Sequence, residues 1–146
     1  MLFKLPTLLA SFSLLLLSAF AAPSPATDSV TYDQTYDTAS YSLNGVACSN
    51  GEHGLVTKGY TTFDSLPSFP YIGGARAVRG WNSPNCGTCW ALTYKGKTIN
   101  VLAVDTTGVG FNIALTAMND LTSGRAVELG KVSVQYAQVN ASVCGL

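Results

Sequence analysis

The segment from Gly80 to Trp90, Gly-Trp-Asn-Ser-Pro-Asn-Cys-Gly-Thr-Cys-Trp, constrains this chain more than any other stretch. It holds both tryptophans and two of the four cysteines, while Cys48 and Cys144 lie far off on either side. Four cysteines allow three connectivities. Joining Cys86 to Cys89 makes a redox C-x-x-C pair, yet the βαβ pattern that accompanies such motifs is missing around it. Joining each outward, as Cys48 with Cys86 and Cys89 with Cys144, closes loops of 38 and 55 residues and ties both ends of the chain to its middle. Each such bridge contributes roughly 4 kcal/mol on the chain-entropy model. Structural bridges are the better reading in a chain that starts as this one does.

Lys4 precedes an apolar run from Leu8 to Ala22, interrupted only by small hydroxyls, with Ala19-Phe20-Ala21 as a small-x-small cleavage site. This reads as a secretory signal peptide over residues 1–21. A membrane anchor needs about 20 apolar residues and a stop-transfer charge; here Pro23-Ser24-Pro25 follows instead, and no membrane span is expected. Cleavage after Ala21 leaves 125 of the 146 residues, one ordinary domain with a core. Removing Lys4 leaves seven Lys/Arg against eight Asp/Glu, and so near-neutral a chain is a poor partner for nucleic acid. Only 11% of residues are charged, so the surface must meet water through Ser, Thr, Asn and Tyr, which suits sugars and interfaces.

Residues 22–28 are rich in Pro, Ser, Thr and Ala and read as a flexible leader, with the folded domain over 29–146. Val30-Thr31-Tyr32-Asp33 begins a β pattern that Tyr36 and Tyr41 continue, and Val46-Ala47-Cys48 reads as another short strand. Two prolines break the stretch from Asp64 to Pro70. Beyond the cysteine segment, Cys89–Tyr94 and Thr98–Asp105 flank a Lys95-Gly96-Lys97 hairpin turn. Ile113, Ala117 and Leu121, spaced by four with Gly124 behind them, predict a helix over Ala114–Thr122. Ala126–Leu129 reads as a short strand, and Val132–Val139 alternates as a half-buried last one. Many short strands and few helices predict a mainly β, small closed barrel.

Several stretches together resemble the cerato-platanin family of small secreted fungal proteins: Val30–Asp33, Cys48-Ser49-Asn50-Gly51-Glu52-His53-Gly54-Leu55, Phe69–Gly74, Gly80–Trp90, Val104-Asp105 through Gly110-Phe111-Asn112, and Val132–Cys144. The resemblance covers the whole mature chain with all four cysteines in register. It implies a six-stranded double-psi β-barrel with short helices, held by the Cys48–Cys86 and Cys89–Cys144 disulfides. It also implies an extracellular or wall-associated protein that binds chitin or N-acetylglucosamine oligomers, acts as an elicitor of plant defence, and in some members self-assembles at interfaces or loosens cellulose without hydrolysis. A plant receptor is a further implied partner.

Asp105 ends the most apolar strand, and Asn112 returns across a Gly-bearing loop, so the two could offer acceptors and donors to sugar hydroxyls and acetamido groups. The resemblance places both in an oligosaccharide groove. Glycoside hydrolysis needs two carboxylates about 5–9 Å apart; no other acid lies in a motif that nominates it as the partner of Asp105, so the expectation is a binder and not an enzyme. Tyr60, Tyr71, Trp81 and Tyr136 are candidates to stack on pyranose rings, whereas Trp90, opening a strand after a cysteine, is expected in the core. His53 is the only histidine, and with the cysteines committed neither a metal nor a cofactor is expected. Asn140-Ala141-Ser142 is a glycosylation sequon. Two other readings stand beside the binder: expansin-like loosening of cellulose or chitin, and an interfacial coat protein, although four cysteines fall short of the eight of a hydrophobin-like coat.

Overall fold

The β-rich runs pair as six strands: β1 Thr27–Tyr32, β2 Ile72–Ala75, β3 Cys89–Tyr94, β4 Lys97–Thr106, β5 Phe111–Ile113 and β6 Lys131–Val139, with two helices, α1 Leu115–Thr122 and α2 Ala126–Leu129. This is a computed structural model, and it describes Leu2 and residues 21–146. The expected signal peptide thus lies outside the described residues, apart from Leu2 and Ala21. Among the described residues no helix is long and apolar enough to cross a membrane.

The strands close in the order β1-β5-β2-β4-β3-β6. Parallel pairings of β1 with β5 and of β2 with β4 give the barrel the double-psi character that the resemblance implies. The β3–β4 hairpin turns on Lys95 and Gly96, both at positive φ, as a two-residue turn matched to strand twist requires. Val101 to Val104 on β4 are all buried, without alternation. A strand reads that way when both of its faces are covered. The loop layer on the second face is tied to the strand by Cys48, whose backbone N–H donates to the Val104 carbonyl at 3.1 Å.

That layer spans the long connection from β1 to β2 and corrects two expectations. Tyr36 lies in a 3-10 turn, Gln34–Asp37, and not in a strand. Its ring lies 5.9 Å from Phe63, which Tyr41 stacks at 4.9 Å, so aromatic packing replaces a ladder there. Val46-Ala47-Cys48 is likewise outside any strand, with Val46 and Cys48 buried in the core. The leader is shorter than expected: Thr27 and Asp28 already belong to β1, paired with Gln135 and Val134 of β6.

The predicted helix forms as α1, although Ile113 belongs to β5. Its capping group comes from far away in sequence: the Asp37 carboxylate accepts the Leu115 and Thr116 N–H groups at 2.7 and 2.9 Å. Ala126–Leu129, read as a strand, is the helix α2. Asn119 Oδ1 receives the Ala126 N–H, Ala126 is fully buried and Val127 is exposed, a helical division of burial in place of alternation.

Both outward disulfides are present, Cys48–Cys86 and Cys89–Cys144. Gly73 marks a close approach within the barrel wall, where a Cβ would lie 2.4 Å from the Asn112 carbonyl oxygen and 2.7 Å from Ile113 Cα, both backbone atoms. Gly73→Ala is therefore expected to cost more than about 2 kcal/mol in a urea melt, because neither neighbour is a side chain that can swing aside. A loss below about 0.5 kcal/mol would contradict this packing.

Candidate functional site

Three strands each contribute one ring to the clearest concentration of aromatic surface. Val132, Val134 and Tyr136 alternate along β6, and Tyr136 stands opposite Leu92 of β3, two residues beyond Trp90 and on the same face. Phe111 of β5 completes the group, with centroids 5.6 Å from Trp90 and 5.5 Å from Tyr136; Trp90 and Tyr136 are 6.0 Å apart. Phe111 is buried, while Trp90 and Tyr136 are half-buried and floor a cleft of about 250 Å³. Trp90 thus lies at the edge of the core and not within it as expected, because Thr88 Oγ1 takes its indole N–H at 2.8 Å and holds the ring at the cleft.

The cleft has a polar rim. Asp28 and Arg76 form an ion pair at 3.1 Å, Arg79 stands beside them, and the Asn85 amide donates to the Ala77 carbonyl at 2.9 Å, which fixes its orientation. The cleft thus combines aromatic ring surface with planar hydrogen-bonding groups.

Asp105 and Asn112 flank a single residue: both are register partners of Gly74, Asp105 from β4 and Asn112 from β5, so no side chain separates them. The fold already uses much of their polarity. Asp105 Oδ1 accepts the N–H groups of Ala47 at 3.0 Å and Thr106 at 2.8 Å, and Oδ2 accepts the Tyr36 hydroxyl at 3.1 Å. Asn112 Oδ1 accepts from Thr31 Oγ1 at 2.9 Å. Burial, and then the charge and hydrogen bond of Asp105, push the Tyr36 hydroxyl well above its ordinary value of 10.0.

Tyr136 is thus gathered into the aromatic cleft and Asp105 with Asn112 around Gly74. Tyr60 and Trp81 line neither place. Tyr60 is half-buried in a loop, and Trp81 is 64% exposed with its indole N–H held by Asn50 Oδ1 at 2.7 Å. The His53 N–H donates to Asn82 Oδ1. Asn140 is exposed and caps the last 3-10 turn, its Oδ1 accepting the Ser142 N–H. Tyr71 opens a second, larger groove of about 550 Å³, in which its hydroxyl donates to Asp120 Oδ2 at 2.8 Å while Lys97 Nζ donates to Asp120 Oδ1 at 2.6 Å. The Lys97 hydrogen bond, and then that of Tyr71, hold the Asp120 carboxyl below its ordinary value.

A cerato-platanin family model matches residues 28–146, nearly the whole described chain. The chain belongs to the cerato-platanin family. It is 49% identical over 148 residues to the allergen Asp f 15 of Aspergillus fumigatus, covering 97% of each chain. Among solved structures, cerato-platanin 3 from M. perniciosa superposes with a TM-score of 0.80 at 47% identity, over 83% of this chain and all of that one. The solution structure of the fungal elicitor Cerato-Platanin does so at 0.70 and 42% identity, over 80% and 95%.

Sequence reasoning nominated Tyr136 in this cerato-platanin chain but missed Phe111, Asp28, Arg76, Arg79 and Asn85. Alternation along β6 leaves either face open to Tyr136; pairing with Leu92 brings it to the face of Trp90, and nothing local reveals that β5 brings Phe111 beside it. For Tyr36 and Asp105 the consequence is measurable. A folded-state proton held more tightly than in the unfolded chain gives stability present in full below pH 10 and lost as pH rises beyond it. Tyr36→Phe is expected to cost about 1 kcal/mol at neutral pH, and to flatten the alkaline loss relative to the parent in urea melts from pH 7 to 11. Parallel alkaline limbs would contradict the assignment.

Proposed function

We propose that this protein is a secreted, non-catalytic carbohydrate-binding protein that takes chitin-derived N-acetylglucosamine oligomers along the cleft of Trp90, Phe111 and Tyr136 and acts at the fungal wall as an elicitor-type protein. The observation that carries the reading is the aromatic triad under a polar rim. Rings held by packing and by the Trp90–Thr88 hydrogen bond meet a sugar face with little ordering left to do. Asn85, Arg79 and the Asp28–Arg76 pair stand where hydroxyl and acetamido groups would need partners. Asp105 and Asn112 support this surface from the neighbouring strand ends: Asp105 anchors the Tyr36 and Ala47 loops, and the Asn112 amide nitrogen, which makes no hydrogen bond to a described residue, is the group there with capacity for a ligand. A carboxylate so occupied is committed to the fold and is poorly placed to serve as a nucleophile or general base.

The elicitor assignment follows the name of the solved relative and the shared family. A second reading, contact with polymer surfaces or interfaces and non-hydrolytic loosening of cellulose, is favoured by Trp81, a rigidly held and exposed indole outside the cleft. Tyr136→Ala tests the main reading. It is expected to weaken chitin-oligomer binding in calorimetry about fivefold or more, the loss of roughly 1 kcal/mol of ring contact, with an unchanged folded spectrum and no release of reducing sugar by either protein. Undiminished affinity, or sustained release of reducing ends, would contradict it.

A further inference from the structure

The larger groove lies elsewhere on the molecule and shares no lining residue with the aromatic cleft. It runs over the first half of β4, between the Phe69–Tyr71 segment and the C-terminal turn that Cys144 anchors to β3. At about 550 Å³ it falls within the range of small-ligand sites, about 300–1,000 Å³.

Its chemistry is selective. Asp120 is the one charged residue that lines it, and Lys97 pairs with that carboxylate at 2.6 Å, so the groove offers little to an ion. Phe69 and Tyr71 are half-buried, and the hydrogen bond to Asp120 fixes the Tyr71 ring before any ligand arrives. Asn100 is half-buried on β4, and its side-chain amide makes no hydrogen bond to a described residue, leaving an acceptor and two donor hydrogens free. Each Asp120 oxygen accepts one hydrogen bond and keeps capacity for another. The Ser68 hydroxyl is buried without a partner in the same wall, an arrangement that a rotation about χ1 toward a ligand oxygen would relieve. One ring held by a hydrogen bond, a second half-buried ring, a free amide, a spare carboxylate lone pair and a charge already paired describe a receptor for a neutral polyhydroxylated ring.

We propose that the Phe69–Tyr71–Asn100–Asp120 groove is a second carbohydrate site, taking a neutral hexose or N-acetylhexosamine segment, so that one molecule can hold two glycan strands at once. This extends the saccharide reading to a separate surface. Two sites on one rigid barrel would allow bridging of polymer chains, and a polymer engaging both gains avidity that neither site has alone.

The test is a titration of the isotope-labelled full domain with chitin tetramer, followed residue by residue in amide NMR spectra, for the parent and for Asn100→Ala. The expected result is two groups of shifting amides, one around Trp90 and Tyr136 and one around Tyr71, Asn100 and Val143, with two ligands bound per protein. Asn100→Ala should weaken the second group about fivefold or more and leave the first unmoved. Should the Ala variant lose its dispersed spectrum, Asn100→Ser and Phe69→Ala serve in its place. Saturation of the Trp90 group with a silent Asn100 group overturns the second site and spares the first. Movement of the Asn100 group alone overturns the aromatic cleft and supports this proposal. Silence at both sites overturns both. Bridging has its own readout: the parent should flocculate chitin nanocrystals, whereas Asn100→Ala should bind them without flocculation.

Discussion

Everything in this fold depends on the four-residue segment Cys86-Gly87-Thr88-Cys89 being held against the middle of β4. The Gly87 N–H donates to the Ala103 carbonyl, and the Ala103 N–H donates back to Thr88, both at 2.9 Å. From this clamp one disulfide runs to Cys48 in the loop layer and the other to Cys144 at the C-terminal turn. The loop layer adds Leu43, Leu55 and Phe63, all fully buried, to the same core as the barrel interior, and Cys48 lies within it. The same segment carries Thr88, which fixes Trp90. Loop layer, C-terminal turn and aromatic cleft therefore take their positions from one short stretch.

With so few ionic side chains, the molecule uses its carboxylates mostly as internal hydrogen-bond acceptors. Asp37 caps α1, Asp105 gathers Tyr36 and Ala47, and Asp120 gathers Tyr71 and Lys97. Each joins segments distant in sequence. Those carboxylates are thereby committed to the fold, while the rim of the aromatic cleft keeps Arg79, the Asp28–Arg76 pair and the Asn85 amide beside its rings.

The strands flanking the Lys95-Gly96 turn were legible because β-branched runs and a turn signal coincide in adjacent residues. So was the helix at Leu115–Thr122, from its spacing of four. What escaped was whatever depends on contacts between remote parts of the chain. Ala126–Leu129 is as apolar as a strand of that length, and only Asn119 and the packing of Ala126 make it a turn of helix. Tyr36 carries a β-type pattern, yet Phe63 and Asp105 draw it into a 3-10 turn. The candidate site divides in the same way. Asp105 and Asn112 were nominated from a strand end, loop glycines and the family resemblance, but their juxtaposition across Gly74 and the meeting of Phe111 with Trp90 and Tyr136 follow from barrel closure, which no local pattern encodes.

The central claim is that Trp90 lies in the floor of the sugar-binding cleft, and the chain offers a direct optical test because it has two tryptophans, one of them the exposed Trp81. In a Trp81→Phe background Trp90 is the sole indole reporter. Titration with chitin oligomers should then give a saturable change in its emission and shield it from acrylamide quenching. Emission and quenching that stay constant through millimolar oligomer, with the fold intact, would contradict the account.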